Sequence, residues 1–143
     1  MRSKSSCVFC EIVQGARPTA VVWQDDDFMC FIDKYPMNPG HSLIVPKKHF
    51  ALLTDMPVSE VGELFEHTAI VSRAIFKALK PDGLNVGQSN GKAASQTIFH
   101  VHVHIVPRFE GDAKKGFWPH RKRFTEKQLT GTAEKISNAI ETI

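Results

Sequence analysis

The chain has 143 residues and a mass of 16.0 kDa, which is the length of one ordinary domain and excludes a protein of many domains. Hydrophobic residues make up 42% and charged residues 23%, a balance that predicts a soluble folded domain and excludes a disordered chain. The net charge of +3 is too small to indicate nucleic-acid binding by itself, and no apolar run approaches the ~18 residues of a membrane span.

The first half of the chain predicts a short helix, three strands and one long helix. Turn-forming residues separate the apolar runs: Gly15 and Pro18 end the first helix, and the acidic turn 25–27 divides two strands. From Val61 to Leu79, mostly apolar residues recur at helical spacing, which indicates an amphipathic helix. The predicted ranges are a helix at 8–14, strands at 20–23, 28–33 and 42–45, and a helix at 57–80.

The second half of the chain predicts two further strands and a last helix. The strands are expected at 84–89 and 97–106, and the second of them alternates strongly between polar and apolar residues. Thr125 and Gln128 have the spacing of a capping box, which predicts a helix that continues to about Ile140. Five strands, one long helix and short helices predict an α+β fold with a five-stranded antiparallel meander sheet.

Three histidines alternate with apolar residues in the predicted strand 97–106. His100, His102 and His104 should share one face of that strand, while the residues between them pack into the core. Core packing explains one such histidine well but three in register poorly, so ligation of a metal or chemistry near neutral pH is favoured. The outer two would lie ~13 Å apart at the rise of a strand, too far for a single ion to bind all three.

The motif His-x-His-x-His followed by two apolar residues resembles the signature of the histidine triad (HIT) superfamily. The resemblance extends over residues 7–108 and includes the segment 33–49, which looks like the ribose loop and its following strand, and the segment 90–108, which looks like the phosphate loop and triad. It implies one HIT domain over the whole chain with a HIT-like fold. It also implies a homodimer whose two sheets join. Residues 109–143 match nothing in the family and are interpreted as a C-terminal extension with a helix near 126–140.

The resemblance implies a nucleotidyl hydrolase or transferase that acts at the α-phosphorus of purine nucleoside phosphoramidates or dinucleoside polyphosphates. His102 would be the nucleophile, forming a nucleotidyl-histidine that water cleaves to release a nucleoside monophosphate. Its ring must present an unprotonated nitrogen, so we expect its N–H to be held by a backbone carbonyl. His104 would assist the leaving group, His41 would support that cluster, and no organic cofactor is expected.

The family's substrate-binding positions can be carried over residue by residue. Asp33 would accept hydrogen bonds from the ribose hydroxyls, since a carboxylate offers two acceptor oxygens. Bacterial members often have Ala-Gly-Gln where this chain has Ala94-Ser95-Gln96, and a glycine there would allow unusual torsions. The positions expected to contact phosphate or leaving group are Asn90, Gln96 and Thr97, with Gln96 also in the catalytic set, and those expected to line an apolar base cleft are Phe9 and Ile32.

Cys7 and Cys10 form a C-x-x-C pair whose meaning is ambiguous by itself. The pair could be redox-active or two incidental thiols, although the strand that precedes a redox pair is missing. The resemblance implies a third alternative, in which Cys7, Cys10, His49 and His100 bind a structural zinc, since two thiolates and two imidazoles suit tetrahedral zinc. Cys30 is expected to be a buried, inert thiol.

Two other functions compete with hydrolysis. A zinc-stabilised module could bind nucleotides or nucleic acid without turnover through the segment 107–127, where seven Lys or Arg stand against three acidic residues. A dinucleoside polyphosphate phosphorylase would use the same nucleophile with phosphate as the acceptor. Hydrolysis is favoured and a nucleic-acid partner is not expected. Because no apolar stretch follows the basic N-terminal residues, a cytoplasmic location without a membrane partner is predicted.

Overall fold

The computed structural model describes residues 6–140. Five antiparallel strands form one sheet, and their order across the sheet is β1-β2-β3-β5-β4. The α+β prediction and the number of strands are therefore confirmed. The strands are β1 (Val21–Gln24), β2 (Phe28–Ile32), β3 (Ser42–Pro46), β4 (Gly83–Gly87) and β5 (Val103–Arg108).

The sheet departs from a simple meander at one place. The first three strands follow one another as predicted, but β5 lies between β3 and β4, so that the hairpin of β4 and β5 joins the sheet through its second strand. The register pairs Leu43 of β3 with His104 of β5. This insertion places the histidine segment in the middle of the sheet, beside the strand that follows His41.

Three helices cover the sheet on its two faces: α1 (Val8–Val13), α2 (Val58–Leu79) and α3 (Glu126–Ala139). The long helix matches its predicted range within one residue and ends where Lys80 adopts a left-handed conformation with φ 49°. At the start of α3, Thr125 accepts a hydrogen bond from the backbone of Gln128, and the Gln128 side chain accepts one in return, so the predicted capping box is present. None of the helices described between residues 6 and 140 is long and apolar enough to cross a membrane.

The sheet separates two apolar clusters. The main core lies under α2 and α3 and takes every second residue of β2, including Phe28, Cys30 and Ile32. The smaller cluster lies under α1 on the opposite face and takes Met29 and Phe31. Alternation along a strand sends neighbouring residues to opposite faces, so β2 is buried on both sides. Cys30 is fully buried, and its burial raises the pKa of its thiol.

The last strand begins later than predicted. Residues 97–102 have no strand partner, and β5 begins only at Val103. The backbone N–H of Val101 instead donates to the carbonyl of Phe50 at 2.8 Å, so this stretch is held by the loop after β3. His104 therefore lies in the sheet, whereas His100 and His102 lie just before it.

The chain between β5 and α3 folds back over the sheet edge as irregular structure. The guanidinium of Arg108 donates to both carboxylate oxygens of Asp112, at 2.9 and 2.8 Å, which closes a turn at the end of β5. The Trp118 ring lies against Gly87, where an added Cβ would be 3.0 Å from the indole. Further along, the backbone N–H of Lys122 donates to the carbonyl of Pro36 at 2.9 Å, so this segment returns to the loop between β2 and β3.

Candidate active site and metal-binding group

The ring of His102 is held in one tautomer. Its Nδ1 lies 2.7 Å from the carbonyl oxygen of His100, and because a carbonyl only accepts, Nδ1 carries the proton and Nε2 keeps its lone pair. Burial lowers the pKa of His102, which favours the neutral ring. The edge of Phe9 packs against it with ring centroids 5.0 Å apart. The structure thus has the backbone carbonyl partner expected for a nucleophilic imidazole.

A second pair of histidines lies beside His102. The backbone N–H of Met37 donates to His41 Nδ1 at 3.0 Å, so the proton of the neutral His41 ring is on Nε2. That Nε2 lies 2.9 Å from His104 Nδ1, which therefore accepts, and the His104 proton is on its own Nε2. Burial lowers the pKa of His41 to about 4 and that of His104 to about 3, so both rings are neutral at pH 7. The His104 and His102 rings are 4.9 Å apart.

Asp33 lies at the end of β2, next to this pair, and is only 8% exposed. Its Oδ1 accepts the backbone N–H of Tyr35 at 2.9 Å, and its Oδ2 lies 3.6 Å from His41 Nε2. Oδ2 is also 2.9 Å from the guanidinium of Arg121. Arg121 was not among the site residues predicted from the sequence. The signal that indicated this segment was the excess of basic residues in 107–127.

Gln96 is buried inside the loop that precedes the histidines, with an exposure of 3%. Its amide donates to the carbonyls of Ala51 at 2.8 Å and Ile98 at 3.1 Å, and its oxygen accepts the backbone N–H of Gly91 at 2.7 Å. Both the nitrogen and the oxygen of the Gln96 amide are therefore bonded to backbone groups. Beside it, Ser95 adopts φ 72° and ψ 22°, a left-handed conformation that favours glycine.

The other two polar positions of this loop differ in their surroundings. Asn90 is exposed, and its side-chain oxygen accepts the backbone N–H of Leu53 at 2.7 Å, which ties the loop to the chain before α2. Thr97 is exposed at the turn before the histidines. The structure brings His41, His102, His104 and Asp33 into one cluster, whereas the predicted phosphate-loop residues Asn90 and Gln96 bond to the chain before α2.

The two residues expected to line the base cleft lie on opposite faces of the sheet. Phe9 packs against Phe31 with ring centroids 5.6 Å apart, on the face that carries His102. Ile32 packs instead into the main core under α2 and α3. Strand alternation turns Ile32 away from its neighbour Phe31, so of the two residues only Phe9 lies on the face that carries His102.

Cys7, Cys10, His49 and His100 form a compact group in which all ligand atoms lie within 4.8 Å of one another. The sulfur-to-Nδ1 distances are 3.3 Å for Cys10 and His49, 3.4 Å for Cys7 and His100, and 3.6 Å for Cys10 and His100. A tetrahedral zinc with bonds of ~2.3 Å to sulfur and ~2.0 Å to nitrogen would separate such atoms by about 3.6 Å. His100 Nε2 donates to the carbonyl of Pro46 at 2.7 Å, which leaves Nδ1 unprotonated and directed at the sulfurs. The donor set fits a metal ion.

A second group of metal-ligand type is formed by Asp33, His41 and His104. Here the hydrogen bonds argue against a metal. Because Met37 donates to His41 Nδ1, the ring nitrogen that faces Asp33 and His104 carries the proton. To bind a cation through Nε2, His41 would have to lose the proton on that nitrogen. If the proton moved to Nδ1, the hydrogen bond from Met37 would be broken. These residues are a hydrogen-bonded chain, in contrast to the Cys and His group.

The fold and the cluster define a small α+β protein with a buried histidine site and a neighbouring Cys and His group. The HIT domain family model matches residues 14–111, and the chain belongs to the HIT family. The resemblance of the histidine motif to that family is therefore confirmed.

Curated relatives include proteins with hydrolase names. The chain is 42% identical over 109 residues to adenylylsulfatase HINT3 of Arabidopsis thaliana, covering 76% of this chain and 55% of that protein, so it spans about half the length of that relative. It is 30% identical over 137 residues to adenosine 5′-monophosphoramidase hnt1 of Schizosaccharomyces pombe, covering 95% of this chain and 99% of the relative. The matching relatives also include HIT-like proteins that are uncharacterised.

Solved structures share the whole fold. A Hit-like protein from Bartonella henselae superposes with a TM-score of 0.86 at 30% identity, covering 98% of this chain and 100% of that one. A zinc-bound histidine triad protein from Mycobacterium smegmatis superposes with a TM-score of 0.81 at 36% identity, covering 96% and 94%. A metal is therefore present in one close structural relative.

Proposed function

We propose that the protein is a nucleotidyl hydrolase that cleaves purine nucleoside phosphoramidates or dinucleoside polyphosphates at the α-phosphorus. The observation that carries this proposal is His102, whose Nδ1 is bonded to the His100 carbonyl and whose Nε2 keeps a lone pair. A neutral imidazole with one fixed nitrogen is the state in which histidine attacks phosphorus. Membership in a family with hydrolase-named relatives supports the same reaction.

The reaction would proceed in two displacements. His102 Nε2 forms a bond to the α-phosphorus while the bond from phosphorus to the leaving group breaks. A phosphate departs with the electron pair of that bond, whereas an amine departs after its nitrogen has taken a proton from solvent, which the attacking water later returns. His104 Nε2–H donates a hydrogen bond to the leaving atom, and the bond from His41 Nε2–H to His104 Nδ1 fixes the ring that does so. Water then attacks the phosphorus and displaces His102, so nucleoside monophosphate is released. Asp33 would hold the ribose hydroxyls.

Gln96 and Asn90 are proposed to act on this reaction through the loop. Both side chains bond to the backbone of the chain before α2, Gln96 to Ala51 and Asn90 to Leu53, so they position the phosphate loop. Thr97, which is exposed beside them, would contact the phosphate or the leaving group directly.

The test is AMP release from adenosine 5′-phosphoramidate and diadenosine tetraphosphate by the parent protein and His102→Ala. We expect turnover in the parent and a loss of at least ~10³-fold in the variant, since removal of a nucleophile abolishes the covalent route. His67→Ala, a histidine on α2 stacked on Trp23, is the matched control and should retain activity. Salt-sensitive binding of RNA without any turnover would support the nucleic-acid alternative instead. A nucleoside diphosphate product in phosphate buffer would indicate phosphorolysis.

We propose that the Cys and His group binds a structural zinc. Two thiolates and two imidazoles supply a closed four-ligand set, and the zinc would tie α1 to the segment that carries His102. One zinc per chain should be found by native mass spectrometry. Chelation should lower the melting temperature of the parent by several degrees. It should not change the melting temperature of Cys7→Ser, which is already lower because one zinc ligand is missing. Cys30→Ser, which alters a thiol in the main core, should still respond to the chelator.

Thiolate ligands and a free buried Cys30 fit a reducing compartment, and we propose the cytoplasm.

We also propose a homodimer, formed through α2 and the edge strand β4. Residues at heptad spacing form an apolar and small-residue stripe on the outer face of α2, and Val86 of the edge strand β4 is also exposed. Ser72 Oγ, buried in that stripe, has no hydrogen-bond partner among the described residues. Light scattering should give about twice the chain mass, and Phe65→Asp should yield monomers. The stripe consists of Val58, Gly62, Phe65, Ala69, Ser72 and Phe76.

A further inference from the structure

A basic segment from the C-terminal part of the chain lies on the loop that carries Asp33. Arg121 contacts this loop twice, since its Nη1 lies 2.9 Å from Asp33 Oδ2 and 2.9 Å from the carbonyl of Tyr35. The next residue, Lys122, donates its backbone N–H to Pro36 at 2.9 Å. The Lys122 bond holds the backbone next to Arg121, while the Arg121 side chain is 46% exposed.

Several basic residues contact the loop that carries Asp33, and Arg121 is paired with the carboxylate itself. The rings of His41 and His104 are neutral at pH 7, because burial lowers their pKa values to about 4 and 3. The Asp33 carboxylate beside them is negative, and a nucleotide brings further negative charge. Arg121 is the cation in contact with Asp33, and its charge is among the smaller causes that lower the pKa of both histidines. It therefore opposes the repulsion that an anionic substrate would meet here.

The same contact poses a competition for one carboxylate oxygen. Asp33 Oδ1 accepts from the Tyr35 backbone, and Arg121 occupies Oδ2. When ribose hydroxyls bind to Asp33, they take the place of the guanidinium on Oδ2. The released guanidinium stays within a side chain's length of the cluster, because Lys122 remains bonded to Pro36. It is then an unpaired cation beside a bound anion, and a planar guanidinium pairs well with oxyanions.

We propose that Arg121 determines leaving-group specificity, favouring substrates whose leaving group is an oxyanion such as sulfate over substrates whose leaving group is a neutral amine. This inference rests on the hydrolase function proposed above. The chemistry at His104 agrees with it. A neutral imidazole N–H donates a hydrogen bond but is a poor acid, and an amine must gain a proton to leave. A sulfate leaves with the electron pair of the broken P–O bond and needs no proton, so an adjacent cation is what assists it.

The experiment compares two substrates that share adenosine and one phosphate and differ by one negative charge. These are adenosine 5′-phosphosulfate and adenosine 5′-phosphoramidate. We expect Arg121→Gln to lower kcat/KM at least ~10-fold on the phosphosulfate and less than ~3-fold on the phosphoramidate, since a charge-assisted hydrogen bond is lost only for the first. Arg123→Gln removes the same charge from a residue that lies over the Tyr35 ring, and it should leave the ratio unchanged. Added salt should lower the parent's preference for the phosphosulfate and not that of Arg121→Gln.

The outcomes separate this inference from the proposed function. If the parent hydrolyses both compounds and Arg121→Gln changes both by the same factor, the specificity role is wrong and the hydrolase function stands. Faster turnover of both by Arg121→Gln would show that the contact merely inhibits, which also overturns the proposal. If the parent hydrolyses neither, the function fails, and the dissociation constants of the same two compounds decide the inference. In that case Arg121→Gln must weaken phosphosulfate binding at least ~10-fold more than phosphoramidate binding.

Discussion

Lowering the pH from 7 to 4.5 should protonate His41 in the unfolded chain, where its ring is exposed to water. In the folded protein, His41 should stay largely neutral over the same range. The reason is burial, which lowers the pKa of His41 to about 4, against ~6.5 in an unfolded chain. Between these two values the unfolded state binds more protons, so the free energy of unfolding falls as the pH falls. Integrated from pH 7 to 4.5, the difference in proton binding removes about 2 kcal/mol of stability through this one residue.

The measurement is urea unfolding at pH 7 and at pH 4.5 for the parent and His41→Asn. An asparagine oxygen can still accept the Met37 N–H, but the residue does not titrate. Loss of the Cys and His ligands in acid affects both proteins. Because His41 donates to His104, both proteins also carry His104→Gln, so the difference between them isolates His41. The parent should lose about 2 kcal/mol more than His41→Asn over this range. Equal losses in the two proteins would refute the neutral, buried state of His41.

Three further substitutions test features of the fold. Gly40 has φ 91°, and an added Cβ would overlap the Leu79 side chain, so Gly40→Ala should cost about 2–4 kcal/mol in chemical denaturation. Ser95→Gly removes the backbone strain of a serine in the left-handed conformation but makes the unfolded chain more flexible. The net free energy of unfolding should rise by about 0.5 kcal/mol, and a lower melting temperature would contradict this. Asp112→Ala removes both bonds to Arg108 and should cost about 2 kcal/mol, whereas an unchanged urea midpoint would mean that this turn contributes nothing.

Local patterns in the sequence predicted the helices and most strands well. The apolar spacing of 57–80 and the capping box at Thr125 are properties of neighbouring residues, and both elements form close to their predicted ranges. The position of β5 between β3 and β4 is a long-range pairing that no local pattern contains. The same holds for residues 97–102, whose alternation is that of a strand although the Val101 N–H donates to Phe50 in the loop after β3 and the Ile98 and His100 carbonyls accept from side chains.

The site was predicted unevenly for related reasons. The histidine motif and the C-x-x-C pair are short, specific patterns, and the structure brings their members into two adjacent groups. The sequence did not indicate that Phe9 and Ile32 lie on opposite faces, because every residue of β2 is apolar and alternation gave no sign of which face carries the histidines. Arg121 contacts Asp33 from an irregular segment much later in the chain. Because irregular segments have no periodicity, this contact could not be inferred from the sequence pattern.

The contact between Cys7 and His100 has a consequence for synthesis on the ribosome. The two residues are 93 positions apart, and α1 has only six residues, too few to be stable as an isolated helix in water. At ~5–20 residues per second, His100 emerges about 5–20 s after Cys7. His49 follows Cys10 by only 39 positions and emerges earlier, but until His100 emerges the two thiols lack one of their two imidazole partners and the completed sheet. The nascent chain is therefore most vulnerable to thiol oxidation before its histidine segment has been made, and oxidation at this stage would prevent the contact between Cys7 and His100.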